Sequence, residues 1–251
     1  MRNLKLVLAY DGSDFSGWQV QPAAPTIQGT LAQAIGRLTG EKVLPQGSGR
    51  TDAGVHALAQ VATFATASPI PEANWVKALN DILPSAIRVL EASEVAPDFH
   101  ARKSARAKSY RYRMLRLDIC QPFLARYVWH HPFPLNLEAM AEGAALIMGE
   151  HDFSSFAAVD PERGMEDSLP RSSVRTVSLS AWQAVGDEWQ YTIRGSGFLH
   201  HMVRNLVGTF LLVGKGTLRP EDVARILRAC DRSAAGATAP ASGLYLESVE
   251  Y

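Results

Sequence analysis

Gly47-Ser-Gly-Arg-Thr-Asp-Ala-Gly-Val-His-Ala57 is the stretch around which the chain is organised, and it places Arg50, Asp52 and His56 among three glycines. Glycine lets the backbone adopt positive φ and approach a ligand closely, and loops on a rigid scaffold often carry catalytic side chains. The stretch lacks the Gly-Lys-Ser/Thr ending of a phosphate-binding loop and the glycine spacing of a dinucleotide site. Two interpretations follow: a tight turn in which Asp52 accepts hydrogen bonds from nearby backbone N–H groups, or a loop that presents chemistry.

The segments on either side of this stretch predict strands and helices in alternation. Apolar runs indicate strands over residues 4–10, 43–48, 60–66 and 87–95. A helix is predicted from Ile27, with Thr26 as its N-cap and Gly40 as its stop, and a second helix over residues 75–83 ends before Pro84. The order β-α-β-β-α-β is the split βαβ unit of ferredoxin-like folds.

The second half of the chain predicts a similar order with one added helix. The predicted elements are a strand over residues 110–114, a helix over 137–147, a hairpin of strands 177–181 and 189–193 turning at Gly186-Asp187, helices over 199–213 and from Pro220, and a last strand over 243–251. The predicted fold class is therefore α+β, with two ferredoxin-like (RRM-like) domains at residues 1–105 and 106–251. Their mainly antiparallel sheets are expected to flank a central basic cleft.

The composition is that of an ordinary globular protein, with 251 residues, 47% hydrophobic residues and a formal net charge of zero. Cys120 and Cys230 are too few for a disulfide framework or a zinc cluster, which favours a reducing, cytoplasmic setting. The apolar runs over residues 4–10 and 206–213 are much shorter than the ~18 residues that a membrane span needs. We therefore expect no association with a membrane.

The zero net charge conceals a basic run between residues 102 and 116. It contains no Asp or Glu, and its members are Arg102, Lys103, Arg106, Lys108, Arg111, Arg113 and Arg116. A local basic patch, rather than the net charge, is the electrostatic signature of nucleic-acid binding. The run therefore predicts contacts with phosphate groups.

The predicted helix over residues 199–213 carries a polar group opposite its apolar stripe. Its members are His200, His201, Arg204 and Asn205. These residues are interpreted either as a solvated helix face or as part of a functional site. The histidine pair has neither a third ligand in its motif nor i, i+4 spacing, so we expect no metal.

Seven segments spread over the whole chain resemble those of the TruA-type tRNA pseudouridine synthases. They are Tyr-Asp-Gly-Ser-Asp-Phe-Ser-Gly-Trp-Gln from Tyr10, Gly-Arg-Thr-Asp-Ala-Gly-Val-His-Ala from Gly49, Phe-His-Ala-Arg from Phe99, Lys-Ser-Tyr-Arg-Tyr from Lys108, His-Asp-Phe-Ser-Ser-Phe from His151, Gly-Ser-Gly-Phe-Leu-His-His-Met-Val-Arg-Asn from Gly195 and Ala-Pro-Ala-Ser-Gly-Leu from Ala239. Lys103 stands where the family pattern has an aromatic residue, a departure that affects a local packing or RNA contact and no catalytic role.

The resemblance implies an enzyme that isomerises uridine to pseudouridine at positions 38, 39 and 40 in the anticodon stem-loop of tRNAs, without a cofactor. It implies that Asp52 is the essential aspartate and that Arg204 is the basic residue paired with it. It also implies that Tyr110 stacks on the flipped base and assists removal of the C5 proton. From its pattern alone, Tyr110 is a core-facing strand residue, because it alternates with Tyr112 and Met114.

Substrate contacts are predicted for a wider set of side chains: Arg50, His56, Arg106, Lys108, Tyr110 and Arg111. The resemblance further implies a homodimer in which one tRNA touches both subunits. Two alternatives stay open. One is a pseudouridine synthase that acts on another RNA; the other is a non-catalytic tandem RNA-binding protein, which should show an RNP1-like aromatic run that this sequence lacks.

Overall fold

The structure, a computed structural model, describes residues 1–159 and 172–251. The chain divides into two compact units. The first unit comprises Met1–Lys108 together with Tyr245–Tyr251, and the second unit comprises Ser109–Leu244. None of the described helices has both the length and the apolar character that crossing a membrane requires.

The first unit contains the elements that the sequence predicts, in the order β-α-β-β-α-β. They are β1 (Arg2–Tyr10), α1 (Ile27–Thr39), β2 (Gln46–Gly47), β3 (His56–Thr66), α2 (Trp75–Ile82) and β4 (Ile87–Val95). β1 lies between β3 and β4 and is antiparallel to both, and β2 is a short antiparallel neighbour of β3. Alternate residues of β1 point into the core, where Leu4, Leu6 and Leu8 are fully buried.

Both ends of α1 follow from the local sequence. The Thr26 hydroxyl accepts a hydrogen bond from the Gly29 N–H at 3.3 Å, and Gly40 ends the helix with a φ of 74°. Ile27 and Leu31 on its inner face are fully buried. The predicted N-cap and stop are confirmed.

The described part of the second unit contains five strands and three α-helices. Its elements are β5 (Ala107–Leu115), β6 (Trp129–His130), α3 (Leu137–Ala145), β7 (Gly149–Asp152), β8 (Val174–Val185), β9 (Glu188–Gly195), α4 (Met202–Gly214) and α5 (Pro220–Ala229). The strand order is β5-β9-β8-β7, and β6 pairs with β5. β8 and β9 form the predicted antiparallel hairpin, with Gly186 at its turn in a conformation of φ 56°.

Several boundaries differ from the prediction. β3 begins at His56, so the strand starts directly after the glycine-rich stretch. α4 begins at Met202, because His201 has a left-handed φ of 58° and turns the chain before the helix. The last strand, β10 (Leu244–Glu250), pairs in parallel with β3 and sets Tyr245 opposite His56. The described chain is thus of the predicted α+β class, with mainly antiparallel strand pairing.

Candidate active site

The loop of residues 48–55, here called the Asp52 loop, joins β2 to β3 in the first unit. Asp52 is partly buried and Arg50 is exposed, whereas Thr51 between them is buried. The Val55 N–H donates to the Asp52 carbonyl at 3.1 Å, which closes a turn directly after Asp52. The loop is therefore a tight turn that also leaves the Asp52 and Arg50 side chains accessible.

Residues 10–18, here called the supporting segment, form backbone hydrogen bonds with the Asp52 loop. The Trp18 N–H donates to the Thr51 carbonyl at 3.0 Å, and the Gly54 N–H donates to the Phe15 carbonyl at 3.3 Å. These bonds bracket Asp52 on both sides. The position of the Asp52 backbone is therefore set by a part of the chain that lies more than thirty residues earlier.

Two glycines of the supporting segment make this close approach possible. A Cβ on Gly12 would lie 2.0 Å from the Val55 carbonyl oxygen. A Cβ on Gly17 would lie 2.6 Å from the Thr51 carbonyl oxygen, and Gly17 also has a φ of 86°. The supporting segment and the Asp52 loop therefore touch backbone to backbone.

Tyr10 and Gln60 form a buried polar network under the Asp52 loop. The Tyr10 hydroxyl and the Thr51 hydroxyl are hydrogen-bonded at 2.9 Å, and Gln60 donates to the Gly49 carbonyl at 3.0 Å and accepts from the Ser48 hydroxyl at 2.6 Å. Burial raises the pKa of Tyr10 to about 12, although its hydrogen bonds act in the opposite direction. Tyr10 is therefore neutral and structural. The sequence analysis missed both residues, although Tyr10 begins the first of the quoted motifs.

The side chain of His56, a predicted substrate contact, is only 1% exposed. Its ring stacks on Tyr245, with centroids 4.7 Å apart. Its Nδ1 accepts from the Gly12 N–H at 3.2 Å and lies 3.3 Å from Oδ1 of Asp11. This environment favours a role in holding the supporting segment rather than direct contact with a substrate.

The basic run divides into residues with different surroundings. Arg102, Lys103 and Arg106 in the first unit are exposed. Lys108 is partly buried, and its ammonium group donates to the carbonyl of Ser48 at the start of the Asp52 loop. Lys108 therefore supports the loop, whatever contact it also makes with a substrate.

Two members of the run are engaged within the second unit. Arg113 donates from Nε to the Glu188 carboxylate at 2.9 Å and makes a second bond to its other oxygen. The hydrogen bonds from Arg113 hold the pKa of Glu188 below its ordinary value, against the opposite effect of burial. The Arg116 guanidinium lies 4.4 Å from the centre of the Trp189 ring. Arg113 and Arg116 are therefore also engaged within the protein, and their contact with phosphate groups stays a prediction.

Tyr110 and Arg111 lie on β5 in the second unit. Tyr110 is 7% exposed, and its ring meets that of Phe198 edge to face, with centroids 5.0 Å apart. Arg111 is partly buried. The burial of Tyr110 agrees with its interpretation as a core residue. Its contact partner, Phe198, belongs to the family segment that starts at Gly195.

The polar group predicted along α4 is not one solvated face. His200 and His201 precede the helix, and their rings lie 3.9 Å apart. Asn205 is fully buried, so the interpretation as a solvated helix face is wrong for this residue. Arg204 is partly buried, and its Nε donates to the Ala239 carbonyl at 2.8 Å.

The candidate residues therefore fall into two sets. Arg50, Asp52, His56, Arg106 and Lys108 belong to the first unit. The second unit contributes the remaining candidates, which are Tyr110, Arg111 and Arg204.

Comparison with known proteins gives these residues a context. A family model described as tRNA pseudouridine synthase matches residues 6–102 and 144–251. The chain belongs to this family. The match covers both compact units, and it includes the Asp52 loop, the supporting segment and α4.

Curated relatives match along their full length. The tRNA pseudouridine synthase A of Solibacter usitatus is 50% identical over 251 residues, covering 100% of both chains. The proteins of the same name from Moorella thermoacetica and Brevibacillus brevis are 49% and 47% identical, with coverage of 99% and 100% of both chains. A crystal structure of a Cbf5-Nop10-Gar1 complex aligns at 15% identity over 82% of this chain and 54% of that chain, with a TM-score of 0.30, which is too low to support an inference.

Proposed function

We propose that this member of the tRNA pseudouridine synthase family isomerises uridine to pseudouridine at positions 38, 39 and 40 in the anticodon stem-loop of tRNAs. The class of enzyme, an isomerase that acts on tRNA, follows from the family match over both units and from relatives at up to 50% identity over the whole chain. That match is the observation that carries the proposal.

The reaction needs no external reagent. The N1–C1′ bond breaks, the uracil rotates, C5 bonds to C1′, and the proton on C5 leaves while N1 gains one, so that the product is an isomer of the substrate. Asp52 is the proposed catalytic carboxylate, either as a nucleophile or as the partner of a developing cation. No cofactor is required for these steps.

The surroundings of Asp52 support this role. The Trp18 N–H donates to the Thr51 carbonyl before Asp52, and the Gly54 N–H after Asp52 donates to the Phe15 carbonyl. The Thr51 side chain is held in addition by its hydrogen bond with Tyr10. A carboxylate that is held in place before the substrate arrives avoids the cost of ordering it during the reaction. A loop that served only as a connection would not need these three hydrogen bonds or the close backbone contacts at Gly12 and Gly17.

Tyr110 and Arg204 are proposed as the other catalytic residues. Tyr110 stacks on the base and assists removal of the C5 proton, and Arg204 supplies positive charge for the catalytic carboxylate. Arg50, Arg106, Lys108 and Arg111 are proposed to contact the RNA. We further propose two ferredoxin-like halves, and a homodimer that works in the cytoplasm.

Asp52→Asn tests the central assignment. We expect no measurable pseudouridine formation by the purified variant, because the amide lacks the charge that the reaction needs. Its affinity for tRNA should stay within ~3-fold of the wild type, since phosphate contacts supply most of the binding. Turnover by Asp52→Asn would contradict the role of Asp52.

Mapping the pseudouridines that disappear from total RNA when the gene is deleted tests the substrate. Loss confined to positions 38–40 of tRNAs is the expected result. Loss in another RNA would redirect the proposal to that RNA, and no loss at all would contradict a catalytic function. Light scattering on the purified protein reports whether it is a dimer.

A further inference from the structure

The carbonyl that receives the Arg204 side chain belongs to an irregular segment, residues 235–240. Irregular backbone has no ladder of its own hydrogen bonds, so other groups must order it. Tyr112, which is 0% exposed, donates its hydroxyl to the Pro240 carbonyl at 2.8 Å. The Ala239 N–H donates back to the Arg204 carbonyl at 3.1 Å. Ala239 is thus bonded to Arg204 through both its carbonyl and its N–H, and the carbonyl of the next residue, Pro240, is held by Tyr112.

Asn205, the next residue of α4, fixes the middle of the same segment. Its side-chain amide donates to the Phe156 carbonyl at 2.7 Å. Its side-chain oxygen accepts from the Thr238 hydroxyl at 2.7 Å and from Arg232 at 3.0 Å. Arg232 also donates to the Gly236 carbonyl at 3.0 Å. A fully buried amide with both of its ends paired is rigid, because any movement leaves a buried polar group unsatisfied.

Close packing of backbone against α4 completes the arrangement. A Cβ on Gly208 would lie 1.7 Å from the Ala237 carbonyl oxygen, so the segment lies directly on the helix. The Gly236 N–H donates to the Thr209 hydroxyl at 2.9 Å. The segment therefore contacts α4 at Arg204, Asn205, Gly208 and Thr209, which lie on one side of the helix.

We propose that residues 235–240 are a clamp that sets the orientation of the Arg204 guanidinium, with Asn205, Tyr112 and Thr238 as its positioning residues. The bond from Nε to the Ala239 carbonyl fixes the plane of the planar guanidinium. The functional consequence rests on the catalytic role proposed for Arg204. A displacement of ~1 Å in such a group is enough to cost ~10²-fold in rate.

Tyr112→Phe and Thr238→Val each remove one hydroxyl from the clamp and change the shape of the side chain little. The matched control is Tyr191→Phe, since Tyr191 is also 0% exposed in the second unit and its hydroxyl is bonded at 2.9 Å to Ser180, a residue outside the clamp. For both clamp variants we expect kcat to fall ~10-fold with KM within ~2-fold, because the ground-state contacts with tRNA remain. The control should match their loss of melting temperature and keep the wild-type kcat.

The Nε–H of Arg204 gives a direct readout by 15N–1H NMR, with Arg204→Lys used to assign its signal. In the clamp variants its exchange with solvent should be at least ~10-fold faster, because the hydrogen bond opens more often. In the Arg204→Lys background, Tyr112→Phe should cost less than ~2-fold in kcat, since lysine has no Nε–H for the clamp to hold.

Any of three results would contradict the clamp. They are unchanged Nε–H exchange in both clamp variants, an equal fall in kcat on Tyr112→Phe in the wild-type and Arg204→Lys backgrounds, or a fall in kcat of Tyr191→Phe equal to that of the clamp variants. Wild-type kcat in Arg204→Lys would instead contradict the catalytic role of Arg204. The exchange measurement would then decide the clamp by itself.

Discussion

Gly12→Ala tests how the supporting segment positions the Asp52 loop. The added Cβ would lie 2.0 Å from the Val55 carbonyl oxygen, and real Cβ contacts below 3.0 Å essentially never occur. Residue 12 and Val55 must therefore separate by at least about 1 Å. The Val55 N–H is bonded to the Asp52 carbonyl, so the displacement reaches Asp52, the proposed catalytic residue.

We expect the rate of pseudouridine formation by Gly12→Ala to fall ~10²-fold, the cost of misplacing a catalytic group by ~1 Å. This corresponds to ~2.7 kcal/mol in the activation barrier. Overpacking at a backbone contact should also lower the free energy of unfolding by ~1–3 kcal/mol. The affinity for tRNA should change by less than ~3-fold, because phosphate contacts made elsewhere dominate it.

Single-turnover pseudouridine formation, filter binding of tRNA and thermal unfolding measure these three quantities. Gly216→Ala is the control: its φ is 73° and no heavy atom lies within 4 Å of the added Cβ, so it adds left-handed strain of ~1–2 kcal/mol without a clash. The reasoning is refuted if Gly12→Ala reacts at the wild-type rate and loses no more stability than Gly216→Ala.

The other predictions concern Tyr110, the basic run, Glu188 and metals. Tyr110→Phe should lower single-turnover tritium release from 5-³H-uridine tRNA by ~10²–10⁴-fold if its hydroxyl serves the C5 proton, whereas near wild-type release with a stability change of only ~0.5–1.5 kcal/mol would leave it a core and stacking residue. Arg106→Ser should flatten the log–log dependence of tRNA affinity on salt by ~0.7–0.9, and an unchanged slope would mean that exposed Arg106 faces away from RNA. Lys108→Ser should flatten this slope and also lower the melting temperature, because it removes the bond to Ser48. An unchanged melting temperature would contradict the structural role of Lys108. Because the pKa of Glu188 is lowered in the folded state, the stability that the wild type has over Glu188→Gln should be present above pH ~4.3 and should disappear as the pH falls through the folded pKa; chemical unfolding that gives the same difference at pH 7 and pH 3 would contradict this. Chelation should leave turnover of a prefolded stem-loop intact, and a loss that a transition metal restores would show that a metal is required.

Much of the fold is predictable because its signals are local. The ends of α1 depend on Thr26 and Gly40, and the β8–β9 hairpin depends on a turn at Gly186, all within a few residues of the elements that they bound. The parallel pairing of β10 with β3 joins segments almost two hundred residues apart. No periodicity within either strand carries that information. The predicted helix begins at residue 199, three residues before α4 begins in the structure. The sequence does not show that His201 adopts a left-handed conformation, so His201 looks like one more residue of the helix.

The candidate site is predictable where a motif carries it and unpredictable where a distant partner decides. The bond between Arg113 and Glu188 joins residues 75 positions apart, so a run of basic residues gave no sign that one of its members is paired. Asn205 follows Arg204 in the helix and looks equally polar, yet one is fully buried and the other is partly exposed. The helical period separates apolar from polar faces, but it does not say when a polar face is buried against another segment.

Burial divides the polar residues of the family motifs into two kinds. His56 and Asn205 are at most 1% exposed and are bonded to backbone groups of neighbouring segments, whereas Asp52 and Arg204 keep part of their surface. Substituting a residue of either kind is therefore expected to lower activity. A loss of activity alone does not identify a catalytic group. Because a positioning residue acts through the group that it holds, its effect should vanish once that group is removed, whereas a group that touches the substrate keeps its own effect. Measuring activity in double substitutions, rather than in single ones, therefore distinguishes residues that act on the substrate from residues that position them.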